Sequence, residues 1–167
     1  YMARSLCEIL NAACAEIYSW DEESDTISII AYHLDVETGE LDRTPKPDQP
    51  HALADFPAGV EALTDRHPTQ VSLSAPQLDP GDSAMLGAHS AKATLILPMM
   101  ARERVLGFAQ VWETQMPRRF TEAEIAVAQT LVHPASIAME NARLFGETQH
   151  RMREMQLLHD VGLAAAS

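Results

Sequence analysis

An α+β fold built around an antiparallel sheet is what this sequence predicts, and three observations predict it. Strand-like runs come in adjacent pairs, one pair over 15–32 and another over 93–112. Helical spacing is confined to the two chain ends and to an insertion between those pairs. No internal repeat or low-complexity tract breaks that order. Paired strands with helices at both ends are the mark of an α+β domain.

Each element follows from its residues. Arg4 to Ala13 places Leu6, Ile9, Leu10 and Ala13 at helical spacing, so a first helix is expected there. Ala15 to Trp20 alternates as a strand does, Asp21-Glu-Glu-Ser-Asp25 is a polar turn, and Thr26 to Tyr32 is strongly β-prone. Together these form an expected hairpin. His33 to Asp55 reads as a long acidic loop with Pro45, Pro47 and Pro50. Loops of that length are uncommon in compact domains and tend to be functional or mobile. Pro57 to Arg66 is an expected short helix, halted near Pro68. Thr69 to Ser74 is a short strand, Ala75 to Asp82 a turn-rich segment around Asp79-Pro-Gly-Asp82, and Ser83 to Ala88 one or two helical turns.

Two more strands follow, Ala93 to Met99 and Val105 to Trp112, with the connection at Arg102-Glu-Arg104. In the second, Val105, Gly107, Ala109 and Val111 are small, while Leu106, Phe108, Gln110 and Trp112 are mostly bulky. Alternate residues of a strand face opposite sides. The small face therefore admits helices closely, and the bulky face, with one amide in it, lines the other side.

The last element is a long helix. Thr121 with Glu124 is a capping box, and Phe120 with Ile125 the matching hydrophobic staple. From there to Ala166 an unbroken helix would run about 69 Å at ~1.5 Å per residue. Ala128, Leu131, Ala135, Ala138, Ala142 and Phe145 recur at coiled-coil-like steps. Leu144, Met155, Leu158 and Val161 form a second set, with less of their own domain to pack on. Pro134 is expected to kink the helix, and Gly146 and Gly162 to weaken it.

Composition bounds the function. Hydrophobic residues at 46% and charged residues at 22% fit an ordinary globular domain, and 167 residues suffice for one core. The net charge of −12 opposes binding to nucleic acid or to anionic membrane surfaces, which are polyanions. No apolar run approaches the roughly 20 residues that span a bilayer, and no signal peptide precedes the first helix. A cytoplasmic location is expected. Cys7 and Cys14, if both lie on the first helix, sit about 10 Å apart along its axis. That exceeds the roughly 7 Å reach of a disulfide, so they read as reduced packing residues.

The stretch L-I-L-P-M-M-A-R-E-R-V-L-G-F-A-Q-V-W, then R-R-F-T-E-A-E-I-A-V-A-Q-T-L, then A-S-I-A-M-E-N-A-R-L-F resembles a GAF domain. A-E-I-Y-S-W-D and H-P-T-Q-V-S are similar to that family's first and third strands. The resemblance implies a PAS-like sheet of five or six strands with the N- and C-terminal helices on one face and a small-molecule pocket on the other. It implies a non-catalytic sensory module of a bacterial signalling protein, such as a sensor histidine kinase, dimeric through its terminal helices. The domain is expected over 1–145 and a connector helix to a following module over 146–167.

Departures from the family narrow the expectation. Bilin-binding members carry an anchoring Cys in the pocket segment, and here Met85 to Ala93 holds none, which argues against a covalent bilin. The motif of cyclic-nucleotide-binding members is absent, and methionine sulfoxide-reducing members keep their cysteines in the pocket region. The hairpin turn lacks its usual Gly, so a looser turn is expected at Arg102 to Arg104.

The candidate ligand-binding residues are Phe56, Ser72, Asp79, Met85, His89, Thr94, Gln110 and Trp112, drawn from the insertion, the connecting segment and the bulky strand face. Gln110 is the most informative, because a buried amide needs a partner. The aromatics and Met85 can equally fill core. No cofactor is expected beyond an unidentified small molecule. The seven histidines show no paired metal spacing, and no nucleotide-binding or nucleophile motif occurs. His159-Asp160 has the order of a phospho-acceptor site but lacks the basic and Pro residues that follow one, and reads as a linker-helix histidine. A redox enzyme and a structural dimerisation spacer are the alternatives to the sensor.

Overall fold

The computed structural model describes residues 1–35 and 45–167. The elements are α1 (Met2–Leu10), β1 (Cys14–Asp21), β2 (Thr26–Leu34), β3 (His51–Ala52), a 3-10 turn (Leu53–Asp55), α2 (Pro57–Asp65), β4 (Thr69–Ser72), α3 (Pro80–Ala88), β5 (Ala93–Ala101), β6 (Arg104–Glu113) and α4 (Glu122–Ala166). The strands form one sheet in the order β3-β2-β1-β6-β5-β4, antiparallel at each pairing. β1 and β6 pair at its centre, which brings residues about ninety positions apart into register, such as Glu16 with Gln110.

Two cores flank the sheet. On one face α1 and the first half of α4 bury Leu6, Leu10, Leu95, Leu97, Ala109, Val111, Ala128 and Val132. On the other face α2 and α3 cover Tyr18, Ile27, Ile29, Ile96, Phe108 and Trp112. The small-residue face of β6 does lie under the terminal helices, and the bulky face under α2 and α3.

Val105 departs from that alternation. Met99 pairs with Gly107 and Met100 with Val105, so Leu106 is a bulge residue. The extra residue turns Val105 to the bulky face, where it packs on the α2/α3 core. The hairpin turn is tight rather than loose. Arg102 (φ 50°) and Glu103 (φ 68°) both adopt left-handed backbone, and Ala101 pairs directly with Arg104. Positive φ at both central positions matches the right-handed twist of the flanking strands. Neither residue is Gly, so the turn stores backbone strain. Glu103→Gly should therefore stabilise the fold by about 0.5–1 kcal/mol, read as a higher urea midpoint.

Other boundaries move for local reasons. α1 ends at Leu10 rather than Ala13, because Asn11 is left-handed (φ 50°) and the Ala12 N–H closes onto the Cys7 carbonyl at 3.0 Å. α3 begins at Pro80, three residues early, because Asp79 caps it through the Gly81 N–H at 2.7 Å. β4 stops at Ser72, where the Ala75 N–H turns back onto the Ser72 carbonyl. Within the expected 33–55 loop, β2 extends to Leu34, and His51–Ala52 pairs with its start. The 36–44 part of that loop lies outside the described residues. α4 runs through Pro134 as one helix of 45 residues.

The cysteines do not share a helix. Cys7 lies in α1 and Cys14 in β1, and they belong to the cores on opposite faces of the sheet. Both are buried, and neither is in a disulfide. Burial, with the charges of Asp35 and Glu8, pushes the Cys7 thiol from 9.0 up to about 12. Native-state titration with an aromatic disulfide at pH 8 should leave Cys7 unreacted, and urea should release it. Folded Cys7 keeps a proton that the unfolded chain gives up. Its contribution to stability is thus intact below about pH 9 and is lost as pH rises toward 12.

Candidate functional site

The α2/α3 face of the sheet carries a buried polar floor. Glu16, only 1% exposed, points into it from β1. Its carboxylate Oε2 accepts from the Tyr18 hydroxyl at 2.7 Å and from the Trp112 indole N–H at 2.9 Å. The second bond anchors the Trp112 indole N–H, and the first steadies the carboxylate that accepts it. Beside it Thr94 donates its hydroxyl to the Val111 carbonyl at 2.8 Å, so its oxygen must accept from Gln110 Nε2 at 3.1 Å. The Gln110 amide is thereby oriented, its Nε2 also 3.9 Å from the Met85 sulfur. Its Oε1 is buried and has no hydrogen-bond partner among the described residues.

Helix α3 covers this floor. Met85 lies over Gln110, and His89, at the C-terminal end of α3, stacks on the Trp112 indole with centroids 4.0 Å apart and planes 10° from parallel. The His89 Nδ1 is 2.7 Å from the Met85 carbonyl oxygen, which fixes the ring's orientation. Phe56 closes the adjoining end, its ring 5.9 Å from Tyr18 and 6.3 Å from His51. α2 comes close enough for this because Gly59 sits against Phe108; an added Cβ would lie 3.3 Å from that ring. Asp82 of α3 accepts from the Ala58 N–H at 3.2 Å and supplies the cap that α2 otherwise lacks, while burial pushes its carboxyl up.

An open cleft of about 540 Å³ runs along α3, between it and the segment from His51 to Pro57. Met85, His89 and Phe56 line it. The structure thus brings Phe56, Met85, His89, Thr94, Gln110 and Trp112 together. It does not bring in the other two. Ser72 bonds Ser74 at the end of β4, and Asp79 is an exposed cap facing a separate groove with Glu61 and Arg119. Glu16 and Tyr18 are functional candidates the sequence reading missed. The available signal was a carboxylate at an inward strand position, two residues before Tyr18 on the same face.

A second arrangement marks the exit of α4. Arg143 donates two bonds of 2.9 Å to Glu140 and a further one to Glu147. The Arg143 guanidinium holds the Glu140 carboxyl below its ordinary range against the effect of burial, and Arg104 and Arg102 of the β5–β6 hairpin add to this. The hairpin and the outgoing helix therefore share one charge cluster. Beyond it α4 is exposed to its end, with Phe145 66%, Met152 62%, Met155 65% and Leu158 72% exposed. His159 lies on this exposed stretch. Among the described residues no group of His, Cys, Asp and Glu is placed to hold a metal ion, and no helix is long and apolar enough to cross a membrane.

The sequence profile of a family described as "GAF domain" matches residues 1–140. No curated protein matches the chain significantly. Solved structures share the fold. The blue-light absorbing form of the Thermosynechococcus elongatus PixJ GAF domain is 16% identical, with 92% of this chain and 89% of that one covered and a TM-score of 0.68. The GAF domain of Acinetobacter phosphoenolpyruvate-protein phosphotransferase is 18% identical over 87% of this chain and 82% of that one, with a TM-score of 0.65. A GAF domain/HD domain protein from Geobacter sulfurreducens is 20% identical over 86% and 91%, with a TM-score of 0.63. At such identities the likeness is one of fold.

Proposed function

The chain belongs to the GAF-domain family, and on that premise we propose that it is a non-catalytic sensory module of a bacterial signalling protein, such as a sensor histidine kinase. A small molecule is received on the α2/α3 face, and the response leaves through a dimer of α4. Residues 1–145 are the domain, and 146–167 the connector to a following module.

The observation that carries this reading is the second half of α4. A helix that puts Phe145, Met152, Met155 and Leu158 into water, each more than three-fifths exposed, has no packing of its own to sustain it. A second copy of the same helix supplies that packing with one self-complementary seam. The Glu140–Arg143 pair lies at the root of the connector, and the charges of Arg102 and Arg104 of the β5–β6 hairpin act on Glu140, so a shift of the hairpin would be felt there. Sedimentation equilibrium tests the dimer. A chain that stays monomeric at high micromolar concentration would refute it.

One observation favours a second reading, a dimerisation spacer. Trp112, Phe108, Tyr18 and Met85 fill the α2/α3 face with side chains. Native mass spectrometry separates the two, since a co-purified small molecule supports the sensor. A redox enzyme draws no such support, because Cys7 and Cys14 stand on opposite sides of the sheet and the Cys7 thiol is pushed up to about 12.

A further inference from the structure

The floor beneath α3 specifies a ligand class. We infer that it takes a planar nitrogen heteroaromatic bearing an N–H or NH2 donor, seated on the Trp112 indole with its donor on Gln110 Oε1, in the space α3 fills with His89 and Met85. This rests on the ligand-binding reading above.

Four observations converge on it. Gln110 is wholly buried, and the Thr94 hydroxyl turns its amide so that the oxygen is the atom without a donor among the described residues. A buried acceptor in that state selects for a ligand that donates. Trp112 is anchored by Glu16 and already carries a planar nitrogen ring, His89, at stacking distance. Met85 and His89 are one helical turn apart, so one outward movement of α3 uncovers Gln110 and Trp112 together. Only Met85 and Leu86 of the nine-residue α3 are buried, and an open cleft of about 540 Å³ already runs beside it, so α3 is held by few apolar anchors and has space to move into.

The test is a titration of the full 167-residue chain with 2-aminobenzimidazole. A counterpart without donors, 1-methyl-2-(dimethylamino)benzimidazole, is titrated in parallel. Binding is followed through the Trp112 indole N–H and Gln110 side-chain amide resonances. The donor probe should bind about tenfold more tightly, the worth of one net hydrogen bond, and should move both resonances. Gln110→Met should abolish the preference while keeping the stack; Gln110→Leu serves if that variant does not fold, as judged by circular dichroism. His89→Ala removes the internal occupant and should tighten both probes several-fold. Equal binding of the two probes, or a preference that survives loss of the Gln110 amide, overturns the ligand class and leaves a small-molecule pocket standing. If neither probe perturbs Trp112, even in His89→Ala, the pocket falls with it.

Discussion

Gly107→Ala should come close to abolishing the fold. A Cβ built at Gly107 would lie 1.9 Å from the Tyr18 carbonyl oxygen and 3.0 Å from the Ser19 Cα. Both belong to backbone of the central β1–β6 pair, where Gly107 stands opposite Ser19. No side-chain rotamer relieves such an overlap, and the backbone at φ 155° is itself one that L-residues rarely adopt. The site lies next to the Leu106 bulge of β6, while the β1–β6 register itself runs unbroken from Cys14–Trp112 to Ser19–Gly107, so the backbone of β1 has no slack to move away. The expected cost is at least about 3 kcal/mol, a large share of the ~5–15 kcal/mol typical of a domain. Urea unfolding at 25 °C measures it. Gly87→Ala is the control, since its added Cβ meets nothing within 4 Å. Equal midpoints for Gly107→Ala and the wild type would sink this account of the sheet.

Glu at position 145 and at position 155 should separate association from folding. Phe145 and Met155 are 66% and 65% exposed, so each substitution leaves the domain's own stability within about 0.5 kcal/mol. In a self-associated α4 each places a carboxylate beside its symmetry mate in an apolar seam, where two like charges are desolvated together. Phe145→Glu or Met155→Glu should weaken the dimer at least tenfold, and the pair should leave a monomer with an unchanged urea transition. Sedimentation equilibrium and urea unfolding on the same samples give both readings. A double variant that still dimerises as the wild type does would place the interface elsewhere.

Local features were legible before folding is considered. The capping box of α4 needs only Thr121 and Glu124, three residues apart, and both of its bonds are present at 2.7 and 3.2 Å. The two faces of β6 followed from alternation alone, and Phe108, Trp112, Ala109 and Val111 lie as that alternation requires. Gln110 was singled out by being an amide among bulky apolar neighbours, and it is wholly buried. Val105 shows where such reasoning stops. A single bulge residue reverses the alternation, and the bulge is a property of the β5–β6 pair rather than of either strand.

The long capped helix and the apolar stripe beyond Phe145 are properties of short windows, set by periodicity, capping and composition within one element, whereas the α+β class followed from the order of the elements and the family from the resemblance of motifs spread along the chain. The partners of the buried polar atoms are of another kind. Glu16 meets Trp112 across ninety-six residues, and His89 meets the same indole from a helix whose start the sequence misplaced by three residues. Those contacts exist because antiparallel pairing at the sheet centre brings both chain halves into register, and because one cap at Asp79 sets where α3 begins. Hydrogen bonds and ring stacking require approach within about 3–4 Å. Proximity of that kind between distant segments is created by packing alone, so the long C-terminal helix and several residues of the floor could be read from the chain, but the contacts that join them could not.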